Sequence, residues 1–152
     1  MLKQLILFST FLVFLCACSF SVQPYAIYSV DEEKLAQQRI AEIRADWNAK
    51  LFNKLVLEGG SKFSAESQRA LIIARMKQAF VEYGTFKKVT DSKFRVLMVS
   101  PLQVRAAFHS KFEKVNVSER VTLIKIDGVY KLDGYIIEAQ NIDLDKLLGN
   151  DY

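Results

Sequence analysis

The sequence predicts an α+β domain in which N-terminal helices pack on a curved, cone-like antiparallel sheet of four to five strands. Three observations predict it. Apolar residues recur at three- and four-residue steps before Gly84 and at two-residue steps after it. Asp127-Gly128 stands between two β-rich runs, and Asp-Gly is a strong hairpin signal because both central residues of a type I′ turn need positive φ. Helices followed by a run of strands is an α+β order. The length of 152 residues allows one domain of ordinary size, and 51% apolar with 25% charged residues is globular rather than disordered.

Residues 1–17 read as a lipoprotein signal peptide. Lys3 supplies the positive start, and residues 5–15, LILFSTFLVFL, are an uncharged apolar core of signal length. Leu15-Cys16-Ala17-Cys18 resembles a bacterial lipobox: an aliphatic residue, a small residue, then the acceptor cysteine. The resemblance makes Cys18 the lipidated residue, carrying palmitate-type acyl chains. It makes Leu15 and Ala17 the signal-peptidase recognition positions. Cys16 departs from the small or aliphatic residue usual at its position. Two other readings stay open: an ordinary signal peptide cut a few residues later, and an uncleaved anchor over the uncharged residues 5–22. If Cys18 is acylated, Cys16 leaves with the signal and the mature chain keeps no free thiol. That excludes a disulfide framework, a redox cysteine pair and a thiolate metal site. More than one acyl chain anchors a protein stably. In Gram-negative lipoproteins an Asp after the cysteine usually retains the protein in the inner membrane; Ser19 stands there in this chain, so the resemblance implies an outer-membrane anchor facing the periplasm.

Residues 18–30 form a lipidated tether of at most roughly 40 Å, rich in apolar side chains such as Phe20, Val22 and Ile27. The domain proper is 31–140. Residues 31–57 form one helix or two in tandem, with a break at Asn48 or Asn53. Ser29-x-x-Glu32 has capping-box spacing, with Asp31 as the alternative cap. Leu35, Ile40, Ile43, Trp47, Leu51 and Leu55 make the apolar stripe, and Arg44 is placed on the opposite face. Ser64 caps a second helix over 65–83, with Leu71, Ile72, Met76, Ala79, Phe80 and Tyr83 on its apolar face and Gly84 as its stop. Strands follow at 85–90, 94–99 and 103–112, with a loop at 116–118 before the hairpin over 119–138. Gly134 marks a bulge in the return strand, and Pro101 ends the strand before it. Residues 141–152 form an acidic tail, whose Ile142, Leu144, Leu147 and Leu148 dock as a short helical turn.

Charge divides unevenly: residues 31–125 hold 18 basic and 11 acidic side chains, and residues 126–152 hold 2 and 6. A basic body can approach anionic headgroups or an acidic partner, although a solvated mixed-charge surface is the simpler reading. Nucleic acid is not an expected partner, because there is no dense basic run and no RNA-binding aromatic motif.

Two helices, then Glu119-x-Val121-x-Leu123 and Asp127-Gly128-x-Tyr130-x-Leu132-x-Gly134-Tyr135, resemble the nuclear-transport-factor-2-like superfamily. Within it the likeness is to bacterial envelope lipoproteins with small transport-factor-like or cystatin-like domains. Related proteins often carry Trp where this chain has Tyr130. The likeness covers residues 31–138 and implies a cone-shaped domain that hosts enzymes, binders and scaffolds alike. Superfamily members with isomerase or dehydratase activity put an Asp and a Tyr in an apolar pocket. By that resemblance Tyr130, Asp133 and Tyr135 are the candidate pocket residues, with Glu138 ending the same strand.

The remaining chemistry is sparse. His109 is the only histidine, which excludes a His-based metal cluster; it falls on the polar parity of its strand and is expected in solvent. No Gly-x-Ser-x-Gly elbow and no phosphate-binding Gly loop is present. The expectation is therefore a non-enzymatic envelope protein with no catalytic residue, no cofactor and no metal. It is held to the membrane by acyl chains and acts as a binding or scaffold domain for an envelope partner protein or small ligand. The alternatives are a small acid–base enzyme using the cone, or a structural subunit of an envelope assembly.

Overall fold

The computed structural model describes residues 25–27 and 29–149. Leu15, Ala17 and Cys18 lie outside the described residues. In chain order the elements are β1 (Tyr25–Ile27), α1 (Val30–Asn48), α2 (Phe52–Leu57), α3 (Ser61–Ser64), α4 (Glu66–Tyr83), β2 (Phe86–Met98), β3 (Gln103–Phe112), β4 (Asn116–Ile126), β5 (Val129–Glu138) and α5 (Leu144–Leu148). The structure is α+β as expected, with the helices preceding an antiparallel sheet. The five strands lie in sequence order, so β1 and β5 are the two edges.

Ser29, not Asp31, caps α1: its hydroxyl accepts from the Glu32 amide at 3.4 Å. The Glu32 side chain does not close the box but reaches the sheet. The helix stops at Ala49, and Lys50 takes φ 59° before α2 begins. Asn48 marks the break, because its amide exchanges two hydrogen bonds with the Phe86 backbone at 2.7 and 3.1 Å. Ser64 does not cap the second long helix. It ends the extra turn α3, donates its hydroxyl to Gly60 O at 2.9 Å, and leaves Ala65 at the cap position without a side-chain bond. Leu35, Leu51 and Leu71, expected in the apolar stripes, are exposed at 44, 45 and 47%. Gly84, at φ +80°, ends α4 as expected.

The two strands expected over 85–99 are one strand, β2, which absorbs the polar Asp91-Ser92-Lys93 run with irregular register near Lys87 and Thr90. Residues 116–118 are paired with β3 rather than looped. The hairpin turn is as expected, with Asp127 at φ 51° and Gly128 at φ 79°. The bulge is also where Gly134 placed it. Thr122 pairs with Gly134 and Leu123 with Leu132, which leaves Asp133 as the extra residue. A bulge at Pro101, expected along with the one at Gly134 to curve the sheet, is not formed: Pro101 sits in the β2–β3 loop.

Alternation then sorts the faces. Val104, Ala106, Phe108, Phe112, Val117, Val121 and Leu123 form the core with Ala36, Ile40, Ile43 and Trp47 of α1. The opposite face is covered by α5, whose Leu144, Leu147 and Leu148 pack on Ala107. Around that contact Lys93 pairs with Asp145, and Arg95, Arg105 and Arg120 donate to the carbonyls of Gly149, Leu148 and Leu147. The acidic tail is thus folded onto the basic body.

Candidate interior site

Trp47 stands at the centre of the inner layer, with Phe52, Phe80, Phe112 and Tyr135 rings at 5.5, 5.8, 6.0 and 6.0 Å, mostly edge-on. Its indole N–H donates to Gly84 O at 3.1 Å, so the buried donor is satisfied.

One carboxylate lies inside this layer. Glu119 is fully buried because it sits on the inward parity of β4, between Val117 and Val121. It accepts from Arg44 Nη2 at 2.9 Å and from the Tyr135 hydroxyl at 2.5 Å. Arg44 reaches it from α1, one turn from Ile40, with its guanidinium sandwiched 4.3 and 4.4 Å from the Phe86 and Phe108 ring centres. Arg44 is therefore turned to the core and not, as its placement opposite the stripe implied, to solvent. Burial, followed by the Glu119 charge, pushes the Tyr135 phenol well above its usual range. The sequence marks Glu119 only as the first residue of a strand motif and Arg44 only as a residue opposite the apolar stripe, although a signal for both exists. Each is a charge on an otherwise apolar face.

The sequence-predicted trio is not a trio. Tyr135 joins Glu119, because the extra residue Asp133 shifts the parity of the strand and turns Tyr135 inward. Tyr130 lies toward the hairpin turn, where its hydroxyl donates to Glu32 Oε2 at 2.7 Å. Lys125 donates to both oxygens of the same carboxylate at 2.8 and 2.9 Å. Lys125, then Tyr130, hold the Glu32 carboxyl below its ordinary 4.5, while burial raises the Tyr130 phenol. Asp133 points away from both clusters, at the turn Gly59–Gly60, where a Cβ on Gly60 would come within 2.6 Å of its Oδ1. Glu138 is exposed at the end of β5. His109 is half-buried, and its Nε2 meets Ile142 O at 2.8 Å under the tail instead of facing solvent freely.

Two clefts flank the Arg44–Glu119–Tyr135 relay. The first, ≈ 210 Å³, lies between α1 and β2 and is lined by Gln37, Ile40, Arg44, Ser92, Phe94 and Phe108 among others. The second, ≈ 160 Å³, lies between α4 and β5 and is lined by Trp47, Phe63, Ile72, Met76, Tyr135 and Ile137, with Arg75 and Ala79. It continues into an open groove past Gln78, Glu82, Tyr83 and Ile136. Among the described residues no group of three or more His, Cys, Asp or Glu could hold a metal ion, and no helix is long and apolar enough to cross a membrane. No family model, no curated protein and no solved structure matches this chain.

Proposed function

We propose that the protein is a lipid-anchored envelope protein, held through Cys18 at the outer membrane and facing the periplasm. Its transport-factor-like domain acts without catalysis and binds a small apolar ligand or an apolar side chain of an envelope partner. The observation that carries this reading is the cleft between α4 and β5. It is apolar, it opens to solvent, and it adjoins the one layer of the core that is aromatic. Such concave apolar sites with few polar groups are where small ligands bind.

Trp47 is the only tryptophan and lines the cleft, so it reports occupancy directly. Titrating the full chain with a panel of small apolar and aromatic compounds should change its emission saturably for at least one. Ala79→Leu, which fills the cleft from the half-buried face of α4, should abolish that change while leaving the fold intact by circular dichroism. Emission that no compound alters, or binding that Ala79→Leu leaves untouched, overturns the proposal. For the anchor, Cys18→Ala should end labelling by a fatty-acid analogue; persistent labelling sinks it.

A second reading, a small acid–base enzyme, is favoured by the contact of Glu119 with Tyr135 beside the cleft. Against it, both Glu119 oxygens are already engaged, one by Arg44. Turnover of an isomerase and hydrolase panel that Glu119→Gln abolishes would replace the first reading with this one.

A further inference from the structure

We infer that the domain rests on the bilayer with one end down, the end where β1 begins, and that Val30, Met98, Val99 and Val129 are its lipid contacts. The inference rests on the lipid anchor proposed above and adds an orientation to it. These four are exposed at 60, 40, 36 and 60%. They come from three separate stretches of chain that the fold gathers at one end. Val129 follows the hairpin turn of β4 and β5. Met98 closes β2 and Val99 follows it, and the loop after them is tied to β4 by the Lys125 amide donating to Leu102 O at 2.8 Å. Val30 opens α1, whose first turn is fastened to the same place through Glu32, Lys125 and Tyr130.

What covers this end follows from where the chain comes in. Tyr25 pairs with Met98, so the chain arrives beside two of the four residues. From Cys18 to Tyr25 is a step of only 7 residues, which spans at most about 25 Å. An acyl chain at Cys18 therefore keeps a bilayer within reach of this end, while the opposite end, at Gly84 and the β3–β4 turn, lies the length of the strands farther away. Charge selects the lipid. Asp31, Glu33 and Asp127 at this end are not matched by an excess of Lys34 and Lys131, so the surface suits zwitterionic headgroups, and anionic lipid should not strengthen the contact. Isolated exposed apolar residues are ordinary; three valines and a methionine at the anchored end form a membrane-facing patch.

The test uses the full chain expressed in cells and then in proteoliposomes of phosphatidylethanolamine with a minority of phosphatidylglycerol. Photoreactive benzoylphenylalanine replaces Val99, Val129 or, as a control, Val81, which is exposed at 72% and lies at the opposite end beside Lys114. Lipid adducts should form several-fold more at 99 and 129 than at 81. Equal yields, or none, overturn the orientation, and adducts with a protein at 99 and 129 overturn it in favour of a protein interface. Fatty-acid labelling of the same sample separates the two claims. Label without adducts leaves the anchor standing and removes the docking face. Adducts without label remove the anchor and keep the face.

Discussion

Two regions of this molecule each join a carboxylate, a cation and a phenol, and they behave differently. Near the hairpin turn Glu32 meets Lys125 and Tyr130. In the core Glu119 meets Arg44 and Tyr135. The first is wet: the Glu32 and Lys125 side chains keep 23 and 22% of their exposure. The second is dry: Glu119 keeps none and Arg44 13%. Water screens the first set and replaces any partner it loses, so the pair adds little. The buried Glu119 cannot turn to water for a lost partner, so the second set is costly to break even though its net contribution to stability is small. Arginine suits the dry site because its flat guanidinium stacks between Phe86 and Phe108, where an ammonium would lose its hydration.

The largest expected effect breaks the dry set. Glu119→Ala leaves the Arg44 charge buried and unpaired and should cost about 3–5 kcal/mol in urea unfolding. The double variant Arg44→Met with Glu119→Leu should lose far less, since apolar residues of similar volume often replace a buried pair at little cost. A double variant as unstable as Glu119→Ala would show that the pair itself, and not the stranded charge, sets the loss. Tyr135→Phe removes one donor from Glu119 and should cost about 1–3 kcal/mol by the same measurement.

Weaker effects belong to the wet set. Glu32→Gln takes a charged acceptor from Tyr130 and Lys125 and should cost about 1–2 kcal/mol in thermal unfolding. Acid should find the same group. The Glu32 carboxyl is held below its ordinary 4.5 in the folded protein, so its contribution is complete above that value and is lost as pH falls through the lowered folded one. Glu32→Gln should flatten this part of the stability profile, and an unchanged acid limb would contradict the assignment. Smallest of all, raising salt should weaken the Glu32 cluster by a fraction of a kcal/mol, on the order of 0.5 or less, and leave the Glu119 cluster unchanged.

The fold was legible wherever local chemistry decides it. Asp127-Gly128 fixes a turn by its dihedrals, Gly134 marks the bulge, and the change of period at Gly84 divides helix from strand. Legibility failed where a long-range partner overrides a local preference. Asp91-Ser92-Lys93 looks like a turn, yet β3 pairs with it on one side and holds it as strand. Ser64 looks like a cap, yet Gly60 O takes its hydroxyl. The site was less legible for the same reason. Arg44 lies 75 residues from Glu119, and nothing near either one names the other. Only the breach of apolar pattern at each position carries the information, and it is visible once both are known to face inward. Tyr135 is a candidate only through the family resemblance, and Asp133, which the same resemblance groups with it, is the bulge residue and does not share its face.

That bulge has a consequence for how this chain tolerates change in length. With Asp133 unpaired, Tyr130 and Leu132 before it and Tyr135 and Ile137 after it all face the core, though the two sets differ in odd and even numbering. The strand is two phases spliced at one residue. A substitution at Asp133 leaves the splice in place, and removing the residue leaves a regular strand in which the Leu132–Leu123 and Gly134–Thr122 pairs are successive rungs. Tyr135 would then still face the core; only pairing Asp133 in the ladder, with no residue lost, would send Tyr135 outward and bring the half-exposed Ile136 to the core face. Most positions of a sheet bear a changed residue less easily than a surface loop does. Here the strand can lose a residue without turning a core side chain outward, because Asp133 is already surplus to the pairing.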